Sequence, residues 1–259
     1  PEGTVVPRHD EEGHKYWIKP LDKTFSSVTT KLQIIKDPSI GNWQKNRALD
    51  YISSHWREIN ESTIMNVIDS AAKAPVEEFE GAGSVGTEIH ECRERYFNEW
   101  IKLGVRPQSA LSFIPEDQRD LRIVSAMRAL ESFCVKENYV PIVTELFVYS
   151  EKLEIAGTLD DIGLLNGKLA LCDIKTSNQL RDSYFWQVAL YWKMFKGLTG
   201  LNPRENFILK LGKDDGTYKI EFIKNIGKVA VGARHILKSY DALQIVKGLR
   251  SNLKPTVYL

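Results

Sequence analysis

Two short segments joined by Asn166-Gly167 constrain this chain more than anything else in it. Ile155-Ala156-Gly157-Thr158-Leu159-Asp160-Asp161-Ile162-Gly163 on one side and Leu171-Cys172-Asp173-Ile174-Lys175-Thr176 on the other alternate apolar with polar residues and are rich in β-formers. Asn-Gly is the dipeptide best suited to a two-residue type I′ turn, because both residues reach positive φ at little cost. The pattern therefore predicts a β-hairpin. In its second strand Asp173 and Lys175 are two residues apart, and the period of two puts both on one face. Leu169-Ala170-Leu171-Cys172 lead into them, so the strand reads as buried. Taking charges out of water costs on the order of several kcal/mol each unless they are paired or metal-bound. For a lone Asp-x-Lys a salt bridge is the ordinary answer. Asp160, on the neighbouring strand, adds a second carboxylate, and clustered carboxylates repel unless a positive charge lies between them. A divalent cation meets that need.

Periodicity gives the remaining elements. Residues 1–25 are polar and read as irregular apart from Tyr16-Trp17-Ile18, and Ser26-Ser27-Val28 opens a capped helix. Residues 43–74 give two helices, with Lys45, Arg47 and Arg57 among aromatics; these basic residues either hold a nucleic-acid strand or form a solvated face. Gly81-Ala82-Gly83-Ser84-Val85-Gly86 reads as a sharp glycine turn into a helix over residues 87–102, with His90 in its first turn. The run lacks G-x-x-x-x-G-K-[ST], which argues against nucleotide binding of the Walker type. A helix is predicted over residues 115–138 and a strand over 143–149, on which Glu145 points opposite Thr144 and Leu146. After a polar break comes an amphipathic helix over residues 183–198, where Gln187 and Tyr191, four apart, share a face. Two strands, 206–212 and 217–223, and a helix over 226–249 close the chain.

Four of these stretches, in this order, resemble the PD-(D/E)XK nuclease superfamily in its RecB-like exonuclease branch: Gly86-Thr87-Glu88-Ile89-His90, Gly157-Thr158-Leu159-Asp160, Asp173-Ile174-Lys175-Thr176 and Gln187-Val188-Ala189-Leu190-Tyr191. Leu159 stands where the superfamily's proline would be. The resemblance implies an α/β, restriction-endonuclease-like core with a mixed central β-sheet flanked by helices, plus an N-terminal helical region. Residues 1–80 would form a flank packed on a nuclease core of residues 81–259. It further implies a metal-dependent deoxyribonuclease, exonuclease rather than endonuclease, acting from ends of single-stranded DNA in recombination, repair or genome maintenance. Asp160, Asp173, the Ile174 carbonyl and His90 would hold Mg²⁺ or Mn²⁺, with Glu145 assisting. Lys175 would orient or deprotonate a water, or stabilise charge on the phosphate. Gln187 and Tyr191 would contact the substrate backbone and support Lys175. The alternative is a nucleic-acid-binding protein that keeps the fold without cutting.

Composition narrows the field without choosing. The chain has 259 residues, 42% hydrophobic and 27% charged, with net charge +1, so any footprint for DNA must be local. Its three cysteines, Cys92, Cys134 and Cys172, are too few for the four-cysteine iron–sulfur cluster of some RecB-like relatives. No apolar run reaches the length of a membrane span, and Pro1-Glu2-Gly3-Thr4 shows no charged-then-apolar signal. The expectation is an intracellular, cytoplasmic protein, with organellar targeting by an upstream segment left open.

Overall fold

The structure, a computed structural model, describes residues 5–10, 13–35 and 38–251. At its centre is an eight-stranded mixed sheet. Strands β1 (Val5–Asp10), β2 (Gly13–Ile18) and β3 (Lys23–Ser27) form one antiparallel meander. Strands β4 (Tyr139–Ser150), β5 (Ile155–Leu165) and β6 (Lys168–Lys175) form another. β7 (Glu205–Leu211) runs parallel to β6, and β8 (Tyr218–Phe222) antiparallel to β7. The helices are α1 (Val28–Leu32), α2 (Pro38–Ser54), α3 (Ile64–Leu103), α4 (Leu121–Lys136), α5 (Asp182–Thr199) and α6 (Ile226–Ser251).

Alternation along β6 explains the layering. Ala170, Cys172 and Ile174 join the apolar cluster under α3 and α4, while Leu171 joins the one under α1, α5 and α6. A strand buried on both faces needs helices on both faces, and the result is the α/β layering of a restriction-endonuclease-like core. The hairpin turn is as its dipeptide demands, with Asn166 at φ 48° and Gly167 at φ 78°.

Two local readings are corrected. Val5–Asp10, Gly13–Ile18 and Lys23–Ser27 are strands rather than irregular chain, β1 pairing with β2 and β2 with β3. β3 in turn meets β5 in parallel at Ser26 to Ile155 and Ser27 to Ala156. That pairing is long-range and leaves little local pattern. The glycine run at 81–86 does not turn at all: α3 continues through it, and through Pro75, for 40 residues. Each glycine costs about 1 kcal/mol against alanine in a helix. The buried stripe Ile89, Cys92, Tyr96, Phe97 and Trp100 downstream holds the helix against the sheet and outweighs that cost. His90 accordingly lies deep in α3, not in a first turn. Among the described residues no helix is long and apolar enough to cross a membrane.

Candidate active site

β5 and β6 part company at the middle of the sheet. Their ladder runs from Leu165 opposite Lys168 as far as Asp161 opposite Cys172, whereas β6 continues on β7 to Lys175 opposite Lys210. Past Cys172 the amide of Ile174 donates to Asp160 Oδ2 at 2.6 Å. A carboxylate thus takes the hydrogen bond that a paired strand would supply, and a buried amide remains satisfied. Asp173 and Lys175 share a face, as the period of two requires, with Lys175 Nζ 2.7 Å from Asp173 Oδ2.

α3 lies across this fork and brings two side chains to it. His90 Nδ1 is 3.9 Å from Asp160 Oδ1, with the imidazole 30% exposed. Arg93, one turn on, is fully buried and turns both Nη atoms towards the strands. Nη1 donates to Thr144 Oγ1 at 2.6 Å, Asp161 Oδ1 at 2.7 Å and the Asp160 carbonyl at 3.0 Å; Nη2 donates to Glu145. Gly86 explains why α3 comes so close: a Cβ there would sit 3.1 Å from Thr176 Oγ1, just after β6. The glycine of one motif and the threonine of another are in contact.

The strand bearing Glu145 departs from the alternation expected of it. Glu145 has φ 51°, a left-handed conformation that a residue with a Cβ adopts at a cost of about 1–2 kcal/mol. Val143 and Leu146, three residues apart, both face the cluster under α5, and on β5 so do Leu159 and Ile162. Both strands therefore turn over at the same level. In consequence Glu145 and Thr144 meet the same guanidinium instead of pointing to opposite faces, which corrects the sequence reading. His90, Glu145 and Asp160 offer one ligand atom each within 4.8 Å of one another. Asp173 stands outside that set, beside Lys175.

Electrostatics separates these groups. Burial lowers the His90 pKa to about 4, so the imidazole is neutral at physiological pH and its ring nitrogen can act as a ligand. Burial alone would raise Asp160, but His90, Lys175, Arg93 and the Ile174 amide outweigh it and hold the carboxyl below its ordinary range. Burial pushes the Asp173 carboxyl up, and the Lys175 ammonium offsets that only in part. Burial also works against the Lys175 charge, yet Asp173 and Asp160 keep its pKa above the usual value. Asp173 Oδ1 is buried and meets no hydrogen-bond donor among the described residues. An orphaned carboxylate oxygen beside a carboxylate and imidazole cluster is a donor set that fits a hard divalent cation.

On the other side of the fork, α5 presents Gln187 and Tyr191 on one face, and Gln187 Nε2 donates to Tyr191 Oη at 3.4 Å. Tyr191 is nearly fully buried against β5: a Cβ at Gly157 would lie 2.9 Å from its ring and hydroxyl. Tyr184, a turn before Gln187, receives Lys175 Nζ over its ring at 4.9 Å from the centroid.

Arg93, Asp161 and Tyr184 are the residues that motif reasoning passed over. Arg93 had a signal, since it falls on the apolar stripe Ile89, Arg93, Tyr96 and Trp100, where a charge needs a buried partner. Asp161 had one too, lying inside a strand with Leu159 two residues before it and Ile162 directly after. Lys45 and Arg57 acquire no role at the fork, and Arg47 lies 3.6 Å from Asp50 and 3.8 Å from Glu78 on the outer helices.

No protein-family model matches the chain, and no curated protein matches it either. Among solved structures it is similar at 15% identity to SSO0001, with a TM-score of 0.29 over 61% of this chain and 74% of that one. It is likewise similar at 15% identity to LHK-Exo, solved in complex with dAMP, with a TM-score of 0.33 over 64% of this chain and 92% of that one.

Proposed function

We propose that the protein is a divalent-metal-dependent deoxyribonuclease of the RecB-like kind, working from the ends of single-stranded DNA. The observation that carries the reading is the convergence of His90, Glu145 and Asp160 on one point, next to a buried Asp173 with an orphaned oxygen and a lysine ion pair. Asp160, Asp173, His90 and the Ile174 carbonyl would hold Mg²⁺ or Mn²⁺, with Glu145 completing the set. Hard oxygen donors with one imidazole suit those ions. When bound, such an ion supplies Lewis acidity to the scissile phosphate and acidifies water beside it.

The chain's own residues do the rest. Lys175, cationic and held by Asp173 and the Tyr184 ring, presents a fixed positive charge to oxygens whose negative charge grows as the phosphodiester is attacked. Because it starts fully charged, electrostatic stabilisation is its better-supported role than proton abstraction. Asp160 is kept ionised by its neighbours and needs no proton removed to act as a ligand. Arg93 holds Glu145 in its left-handed conformation and so fixes the third corner of the cluster. The residues we assign to catalysis all lie within 81–259, with the preceding region as a flank that shares α3 and the sheet with them.

The test is digestion of end-labelled single-stranded, double-stranded and circular DNA with Mn²⁺ or Mg²⁺, beside Lys175→Ala. Loss of linear single strands alone, absent in the variant and abolished by EDTA, supports the reading. Cutting of circles makes it an endonuclease, and retained binding with no cutting in any metal transfers it to the non-catalytic alternative.

A further inference from the structure

A groove of about 620 Å³ opens beside this site, within the roughly 300–1,000 Å³ usual for small-molecule pockets. Its walls come from α1, the start of α2 and the start of α5. Leu32, Ile35 and Ile40 give it an apolar floor. Three glutamines reach it from three different elements: Gln33 at the end of α1, Gln44 on α2 and Gln187 on α5. Tyr184 forms a wall shared with the fork, since its ring also carries the Lys175 ammonium. One aromatic ring therefore separates the groove from the lysine assigned to the scissile phosphate.

This lining selects among the parts of a nucleotide. A phosphate is held by lysine, arginine and clustered amide donors, and among the described residues a single guanidinium, Arg181, lines the groove. Carboxamides each present a donor and an acceptor, the combination that matches the mixed edge of a nucleobase. An apolar floor with an aromatic wall suits the faces of the same base, as in strand-binding grooves that rely on stacking.

We propose that this groove seats one unpaired nucleobase of the strand being cut, the base that adjoins the scissile phosphate. The proposal rests on the deoxyribonuclease reading and extends it: a base still paired in a duplex cannot enter, so the groove makes the site selective for single strands. Gln33 and Gln44 contact the base edge, and Tyr184 keeps base and Lys175 in register.

The experiment measures binding, which needs no turnover. Fluorescence anisotropy is read with the Lys175→Ala protein and with Lys175→Ala carrying Gln33→Ala and Gln44→Ala. The probes are a labelled single-stranded oligodeoxynucleotide and a series with one abasic residue moved stepwise from the end. Both glutamines are exposed, so their replacement leaves the core intact. The expected result is that one abasic position weakens binding about tenfold while its neighbours do not. The glutamine variant should lose about tenfold on the unmodified strand and nothing further on that abasic strand. Tolerance of an abasic residue at every position overturns the proposal, as does an equal loss for the glutamine variant on both strands, which would mean a backbone contact. With Lys175 restored, equal cutting of abasic and unmodified strands removes the groove and leaves the nuclease. Base-dependent binding without any cutting does the reverse, and no DNA binding at all removes both.

Discussion

Arg93 and Asp161 form an ion pair at 2.7 Å in which neither side chain has any exposed surface. Burial pushes the Asp161 carboxyl up to about 7 despite the guanidinium, while Asp161, Asp160 and Glu145 raise Arg93 still further above its high ordinary value against the effect of burial. Removing Arg93 leaves the Asp161 carboxylate buried without its ionic partner, whereas Arg93 without Asp161 still has Glu145. Arg93→Met is expected to cost about 3–5 kcal/mol in urea unfolding. Arg93→Met combined with Asp161→Leu should recover most of that loss, since an apolar pair replaces a desolvated ionic one. A double variant as unstable as the single would mean that Thr144 and Glu145, not Asp161, set the cost.

Binding of a divalent ion to the folded chain alone raises its stability by mass action, about 2.7 kcal/mol at a hundred times the dissociation constant. For a domain of this size that is roughly 5–10 °C in melting temperature. Mn²⁺ is expected to produce such a shift in the native chain and none in Asp160→Asn. Differential scanning fluorimetry decides the matter without any substrate, and an unchanged shift in Asp160→Asn would remove that residue from the ligand set.

His90 gives the metal-free protein a pH dependence of known sign. In the unfolded chain the imidazole takes up a proton near 6.5, whereas in the folded protein it does so only near about 4. Its folded pKa is depressed, so the stability it contributes is present above about 6.5 and is lost as pH falls towards 4. His90→Gln should flatten the fall in melting temperature between those values. Parallel curves for the two proteins would show that His90 titrates as freely folded as unfolded.

Gly157→Ala is expected to destabilise by about 1–3 kcal/mol, because the added methyl group lies 2.9 Å from both the Tyr191 ring and its hydroxyl, deep in the core. Gly83→Ala, by contrast, meets open space inside a helix and should stabilise by about 0.5–1 kcal/mol. Chemical denaturation of the two variants side by side reads both signs.

Asp173→Asn and Lys175→Met should lower the cleavage rate about 10²–10⁴-fold with strand binding largely kept, on the deoxyribonuclease reading. Gln187→Ala should fall less, since its amide meets Tyr191 and not the carboxylates. Single-turnover kinetics distinguishes these effects from slow product release.

The hairpin, its turn and the sharing of a face by Asp173 and Lys175 were legible in residue order because each depends on neighbours two positions apart. The helical pair Gln187 and Tyr191 was legible for the same reason at a spacing of four. What lay beyond the sequence was mostly the work of partners far away in the chain. The meander of β1, β2 and β3 is anchored through β3 to β5, more than a hundred residues on, and α3 persists through Pro75 and the glycines because of an apolar stripe farther along. The positive φ of Glu145 is a different case. Nothing in a glutamate announces it, and it becomes intelligible only with Arg93 in place to receive the carboxylate.

Continuity of α3 has a mechanical corollary. At 1.5 Å per residue its 40 residues make a rod about 60 Å long. His90 and Arg93 lie on the inner part, and Gly86 marks the place where the rod bears on Thr176. The outer part, from Ile64 to the glycines, has α2 as its main companion. Load applied to that outer arm does not dissipate in a loop before it reaches the carboxylates. The outer arm and the turn that carries imidazole and guanidinium are one continuous element, which passes Thr176 at Gly86.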